Sequence, residues 1–142
     1  MTENQRWEHL INLDDELLKG GIILSEWCCF IVCEAEKAFA SGAYLASILT
    51  AVSGIETYLR SEYSITGKER LVELINQADI HLELKNDIHT LRRYRNKWVH
   101  VDDPREDDKL FEQPELVSSE LEEMAFTAAR ILRKTIYENS WI

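Results

Sequence analysis

The chain has 142 residues, of which 26 are acidic and 16 are basic, and its formal net charge is −10. This length fits one domain spanning residues 1–142 with a core of its own. The acidic balance excludes a protein that binds nucleic acid over its whole surface. We see no apolar run long enough to span a membrane and no signal-peptide pattern, so we expect a cytoplasmic protein.

The first two predicted helices flank a pair of glycines. Apolar residues at helical spacing predict a helix over residues 4–19, which the glycines at 20–21 end. Ser25 is placed to cap a second helix over about 26–39. The first half of that helix, residues 27–33, is apolar on all sides. This pattern predicts a helix at the centre of the fold or at an interface.

The second predicted helix contains all three cysteines, Cys28, Cys29 and Cys33. A structural zinc site usually needs four converging ligands, and none of the four histidines has a matching spacing. We therefore expect buried structural thiols, with no bound metal and no cofactor. An odd number of cysteines also favours a reducing compartment.

A third helix is predicted over residues 43–62. Its apolar stripe is formed by Leu45, Ile48, Leu49, Val52, Ile55 and Leu59. Glu56 falls inside this stripe. It is either a solvated carboxylate at the edge of the core or the partner of a cation that is similarly misplaced on another helix, and we favour the ion pair.

The remaining elements complete a helical bundle. Residues 66–69 have the pattern of a capping box before a short helix. A long helix then ends at His100, and the charge-rich run 104–113 is expected to be an exposed loop. A last helix is predicted over about 114–137, with proline at its start. The prediction is an all-α, up-and-down bundle of about five to six helices.

The long predicted helix ends in the most basic stretch of the chain. Residues 81–100 contain five basic and two acidic residues, whereas residues 102–123 contain ten acidic and two basic residues. A basic patch beside an acidic segment suggests a local phosphate site on a protein that otherwise repels nucleic acid. Weak, salt-sensitive and selective contact with RNA fits this distribution.

Arg95 lies on the apolar face of the long helix. That face is marked by Leu84, Ile88, Leu91 and Trp98. An unpaired buried charge is costly, so we expect Arg95 to pair with Glu56 or to face an interface or cleft. Asn96 and His100 share a different face, and His100 points about 140° away from Arg95 on a straight helix. The two groups converge only if the helix ends near Val99 or if two copies of it meet.

The order Arg95, Asn96, three further residues and His100 resembles the signature of the HEPN superfamily, in its metal-independent RNase branch. The predicted order of helices is also similar, so the resemblance covers most of the chain. HEPN members are small helical bundles, usually dimers, and many are endoribonucleases that serve as toxins or defence effectors. Some carry a tyrosine two positions after the histidine, which a partner nucleotidyltransferase modifies, and Asp102 departs from that pattern here.

The resemblance implies an HEPN-like homodimer formed through the motif helix, with the arginine and histidine of both subunits lining one cleft. It implies RNA as the substrate, and a cognate antitoxin or a regulatory protein as a further partner. HEPN proteins also often place an acidic residue at the position of Glu56.

The residue types suit RNA cleavage without a metal ion. His100 would move a proton, and the Arg95 guanidinium would stabilise charge on the phosphate. Asn96 would orient the imidazole or donate to a phosphate oxygen. Candidates for further RNA contact are Arg92, Arg93, Lys97 and Tyr94.

Structural and non-catalytic interpretations of the same residues stay open. Trp98 is expected to belong to the core, and the place of Tyr94 at the stripe's edge is undecided. His100 alone would be a residue favourably placed at the negative end of a helix dipole. The alternative function is a non-catalytic HEPN domain that binds nucleotide or RNA, or a protein-interaction module.

Overall fold

The computed structural model describes residues 1–105 and 108–140, and within them the protein contains seven α-helices. In chain order they are α1 (Glu3–Leu17), α2 (Glu26–Ala40), α3 (Tyr44–Tyr63), α4 (Leu71–Gln77), α5 (Leu82–Val99), α6 (Asp108–Glu112) and α7 (Pro114–Ile136). The predicted all-α fold is confirmed, with more helices than the sequence suggested. Within the described ranges, no helix is both long enough and apolar enough to cross a membrane.

The helices are arranged in three layers. α3 and α7 pack against each other in the middle, with α1 and α2 on one side and α4 and α5 on the other. In the part of the chain that the structure describes, α2 and α5 make no contact. The core contains large, fully buried side chains that include Phe39, Ile48, Ile55, Leu59, Leu74, Ile88 and Leu132. The helix that ends in the basic stretch therefore lies in an outer layer.

Side-chain caps fix the starts of the first two helices. The Thr2 hydroxyl accepts a hydrogen bond from the backbone N–H of Gln5, whose side chain accepts one from the N–H of Thr2. The Ser25 hydroxyl accepts from the N–H of Cys28, as predicted. These bonds satisfy N–H groups that have no partner inside the helix.

Residues 66–69 do not begin a helix, contrary to the capping-box prediction, because α4 starts only at Leu71. Glu69 is buried and instead organises the preceding loop, since its carboxylate accepts hydrogen bonds from the Ser64 hydroxyl and the Ile65 N–H. The Ile65 N–H, followed by the Ser64 hydroxyl, holds the pKa of Glu69 well below its usual range. A charged carboxylate is thus satisfied locally, without a cation.

The predicted exposed loop 104–113 contains a short helix, α6. Residues 106–107 of that prediction lie outside the described residues. Phe111 on α6 is 86% exposed, so this helix buries no large apolar side chain there. The loop was predicted from the density of charged residues in this segment. Charged residues can still form one short helix at the surface, because such a helix does not have to bury an apolar side chain.

The position of α2 in an outer layer of the bundle contradicts two predictions about this helix. The helix does not lie at the centre of the fold, because it packs through one face, formed by Cys28, Val32, Ala35 and Phe39, and the alternative, a helix at an interface, stays a prediction. Cys28 is buried, but Cys29 and Cys33 are exposed, so the expectation of three buried thiols is wrong for two of them. Trp27 is also exposed, and a helix in an outer layer has only one side to bury.

Among the described residues, the buried cation is Arg133 on α7, which is 2% exposed. Its guanidinium donates to Asp14 Oδ1 at 2.8 Å and to Glu36 Oε1 at 3.0 Å. The Tyr137 hydroxyl donates to the same Asp14 oxygen at 2.6 Å. Burial raises the pKa of Glu36, against the attraction of Arg133. This cluster joins α1, α2 and α7 through one cation.

Acid is expected to destabilise the fold through His9, which packs against Phe39 and Phe126 with ring centroids 6.0 and 4.7 Å away. Burial lowers the pKa of His9 below its ordinary value of 6.5. As the pH falls through about 6.5, the unfolded chain takes up a proton that the folded protein does not, and stability is lost. The melting temperature of His9→Gln should therefore fall less between about pH 8 and pH 5 than that of the wild type. Equal falls would contradict this, and the exposed His81→Gln is the control.

Candidate functional site

The last third of α5 extends beyond the core. The fully buried residues of this helix are Leu84, Ile88 and Leu91, and none of its residues after Leu91 is fully buried. Arg95 occupies the next position of the apolar stripe and is half-buried. The stripe therefore ends in a cation at the margin of the bundle.

The predicted ion pair between Arg95 and Glu56 is not formed. No ion pair of the described residues joins them, and Glu56 is half-buried on α3. The Arg95 Nε instead donates to Asn96 Oδ1 at 2.9 Å. The prediction failed because it assumed full burial. A guanidinium that water reaches does not need a carboxylate partner.

His100 stands at the end of α5, as its C-cap residue. Its backbone N–H donates to the carbonyl of Asn96 at 2.8 Å, and its φ of −125° and ψ of 74° are not helical. The imidazole is exposed. The helix thus ends after Val99, which is one of the two conditions under which Arg95 and His100 were expected to converge.

Asn96 is bonded to both ends of the motif. Its side-chain oxygen accepts from Arg95, and its backbone carbonyl accepts from His100. Among the described residues, no hydrogen bond joins the His100 imidazole to Arg95 or to the Asn96 side chain. Asn96 therefore holds the guanidinium rather than the imidazole, which contradicts one of the two roles that the sequence suggested for it, and donation to a phosphate oxygen stays a prediction.

Four cations of α5 have no carboxylate partner among the described residues. They are Lys85, Arg92, Arg93 and Arg95, and other described cations outside α5, such as Arg6, Arg60 and Lys134, also make no ion pair. Burial, followed by the charges of Arg93 and Arg95, lowers the pKa of Arg92. These neighbouring positive charges create a local positive potential on a chain whose net charge is −10. Such a potential favours an anionic ligand.

The other predicted RNA contacts turn towards α7. The Lys97 ammonium lies 3.1 Å from Glu120 Oε1, 5.1 Å from the ring centroid of Tyr94 and 5.6 Å from that of Trp98. Burial is the main cause that raises the pKa of Tyr94 to about 12. The neighbouring Tyr94 hydroxyl and Lys97 ammonium lower the pKa of Glu120. Trp98 is half-buried here. Lys97 and Tyr94 therefore lie next to Glu120 of α7, away from the contact between Arg95 and Asn96.

His89 is not one of the predicted site residues, yet it lies among the unpaired cations. Its Nε2 is 2.9 Å from Asn76 Oδ1, and the Lys85 ammonium donates to the Asn76 carbonyl at 2.9 Å. Burial, followed by the charges of Arg92 and Arg93, lowers the pKa of His89. The signal for it was its spacing, since it precedes Asn96 by seven residues and so lies on the same face of the helix.

The end of α5 is an open surface in the single chain. A cavity of about 590 Å³ lies near the other end of this helix, with His81, Glu83 and Leu84 in its lining. Within residues 1–105 and 108–140, no group of three or more histidine, cysteine or acidic side chains is arranged to hold a metal ion.

No family model matches the chain, and neither the curated proteins nor the solved structures contain a significant match.

Proposed function

We propose that the protein is a metal-independent endoribonuclease of the HEPN type, which acts as a homodimer with its site at the C-terminal end of α5. One observation carries the proposal. Asn96 holds the Arg95 guanidinium next to the helix end at which His100 is exposed, among cations that lack carboxylate partners. These are the residue types that the chemistry needs, on an accessible surface.

The proposed reaction divides two tasks between two side chains. An imidazole can take a proton from the ribose 2′-hydroxyl or give one to the leaving oxygen near neutral pH. A guanidinium matches the geometry of phosphate oxygens and stabilises the charge that develops on phosphorus. In this division His100 transfers the proton, Arg95 binds the phosphate, and Asn96 positions Arg95.

Dimerisation supplies what the single chain lacks. Among the described residues, His100 and Arg95 share no hydrogen bond within one copy, and neither of them lines the cavity of about 590 Å³. Two copies that meet at the ends of α5 would create a cleft with the arginine and histidine of both. Arg92 and Arg93 would then bind flanking phosphates, and the activity would serve as a toxin or defence effector, held in check by an antitoxin or a regulatory protein.

A non-catalytic domain that binds RNA or nucleotide is the second candidate. The observation that favours it is the acidic balance of the chain, with ten acidic residues between positions 102 and 123. Such a surface limits contact with polyanions and suits a selective, weakly binding module.

Cleavage of a structured RNA in the presence of EDTA separates the two candidates. We expect the wild type to cut, and the rate to fall about 10²- to 10⁴-fold in His100→Ala and in Arg95→Ala. His81→Ala and Arg70→Ala are matched controls, because both residues are exposed and lie elsewhere. If the wild type binds the RNA but leaves it intact, the second candidate, a non-catalytic RNA-binding domain, is correct. If all variants cut equally, the activity does not belong to this site.

A further inference from the structure

The outer face of α2 exposes large apolar side chains in a chain that is rich in charge. Trp27 is 76% exposed and Phe30 68%, while Ile23, which precedes the helix, is 73% exposed. Cys33, almost one turn after Phe30, is exposed as well. Apolar side chains clustered on one helix face are typical of an interaction surface rather than of a solvated one.

Four residues in the middle of this face have a spacing along α2 that is the same when it is read from either end. Glu26, Phe30, Cys33 and Lys37 are separated by four, three and four residues, so they lie within about 60° of one another around the helix. All four are exposed. We call these four residues the α2 seam. Spacings of three and four residues are those by which one helix packs along another.

The symmetry of the spacing allows the α2 seam to face a second copy of itself. If two α2 helices run antiparallel about a twofold axis, Glu26 of each copy lies opposite Lys37 of the other. Phe30 of each then lies opposite Cys33 of the other. Trp27 flanks the seam on one side and excludes water from its edge.

The charges at the ends of the α2 seam select this arrangement over the parallel one. A parallel pair would place Glu26 opposite Glu26 and Lys37 opposite Lys37, and like charges at such contacts repel. In the single chain the Lys37 ammonium lies 3.3 Å from Glu34 in an exposed ion pair. An ammonium has three donors, so Lys37 can bind a second carboxylate without losing the first.

We propose that the α2 seam is a self-association surface, through which two copies of this chain pair antiparallel. The occupant is a second copy because the charges and apolar side chains of the seam complement themselves. The surface is separate from the end of α5, since α3 and α7 lie between the two helices. The inference therefore does not depend on the proposed nuclease activity.

Charge reversal tests the pairing in sedimentation experiments. We expect the Kd of association through the α2 seam to rise about tenfold in Glu26→Lys and in Lys37→Glu, and to return towards the wild-type value in the double variant Glu26→Lys/Lys37→Glu. Glu3→Lys makes the same change in the first turn of α1 and should leave the Kd unaltered. Weakening in both single variants without recovery in the double variant would overturn the antiparallel arrangement.

Removal of the central aromatic side chain tests the surface independently of charge. Phe30→Ser should raise the Kd about thirtyfold. It should leave the melting temperature unchanged when both proteins are measured as monomers, at concentrations well below the Kd, because Phe30 is largely exposed. Phe111→Ser is the matched control, since Phe111 is 86% exposed on α6. A wild type that stays monomeric up to about 100 μM, or a dimer that neither Phe30→Ser nor the charge reversals weaken, would overturn the proposal.

Discussion

Replacing Arg133 with alanine is expected to lower the free energy of unfolding by about 3–5 kcal/mol. The substitution leaves the carboxylates of Asp14 and Glu36 near each other without the cation that compensates them. It also removes a large side chain from a position that is 2% exposed. For a domain that is stable by about 5–15 kcal/mol, this is a large fraction of the total. Chemical denaturation of the variant would measure the loss as a lower midpoint.

Arg130 provides the matched control for this experiment. It lies almost one turn before Arg133 and pairs with Glu16 at 2.7 Å, but both of these side chains are about half exposed. Arg130→Ala should therefore change the free energy of unfolding by less than about 1 kcal/mol. Arg133→Met keeps the apolar volume and should be less destabilising than Arg133→Ala. Similar losses in the Arg130 and Arg133 alanine variants would show that burial of the cation does not govern its contribution.

Mixing two inactive variants is expected to restore RNA cleavage if the active site is shared between subunits. Arg95→Ala and His100→Ala should each cut about 10²- to 10⁴-fold more slowly than the wild type. After exchange of subunits, about half of the dimers contain one copy of each variant, and each such dimer keeps one intact arginine–histidine pair in its cleft. We therefore expect about a quarter of the wild-type rate in the mixture.

The double variant Arg95→Ala/His100→Ala is the control for the mixing experiment. Mixed with the wild type, it gives dimers in which the intact arginine and histidine come from the same chain. No recovery in the mixture of single variants, with full activity in the wild type, would show that each copy works alone. The hydrogen bond from Arg95 to Asn96 would then be the contact that positions the guanidinium within one chain.

The expectation that a charge on an apolar stripe has a carboxylate partner is wrong for Arg95 but describes Arg133 correctly. A charge on an apolar stripe should have a carboxylate partner only if the stripe is covered at that position. Arg95 continues the stripe of α5 beyond the core and has none among the described residues, whereas Arg133 is covered and has two. Periodicity shows where a stripe runs, but it does not show where the neighbouring helices end.

The same limit applies to the two proposed functional surfaces. The helix that carries Arg95, Asn96 and His100, and its end at His100, could be predicted because apolar spacing and helix ends are local properties. The division of the basic residues, with Lys97 facing Glu120 on α7, depends on packing between distant segments. The exposure of Trp27 likewise follows from the position of α2 in an outer layer.

The middle layer of α3 and α7 has a consequence for higher assembly. It keeps α2 and α5 apart, so the two proposed twofold contacts would use separate surfaces of each copy. Copies joined in this way extend into an open-ended filament when the two axes do not intersect, whereas axes that intersect at right angles close four copies into a tetramer. Phe30→Ser would then terminate growth at discrete pairs, which electron microscopy of concentrated protein would distinguish from fibres.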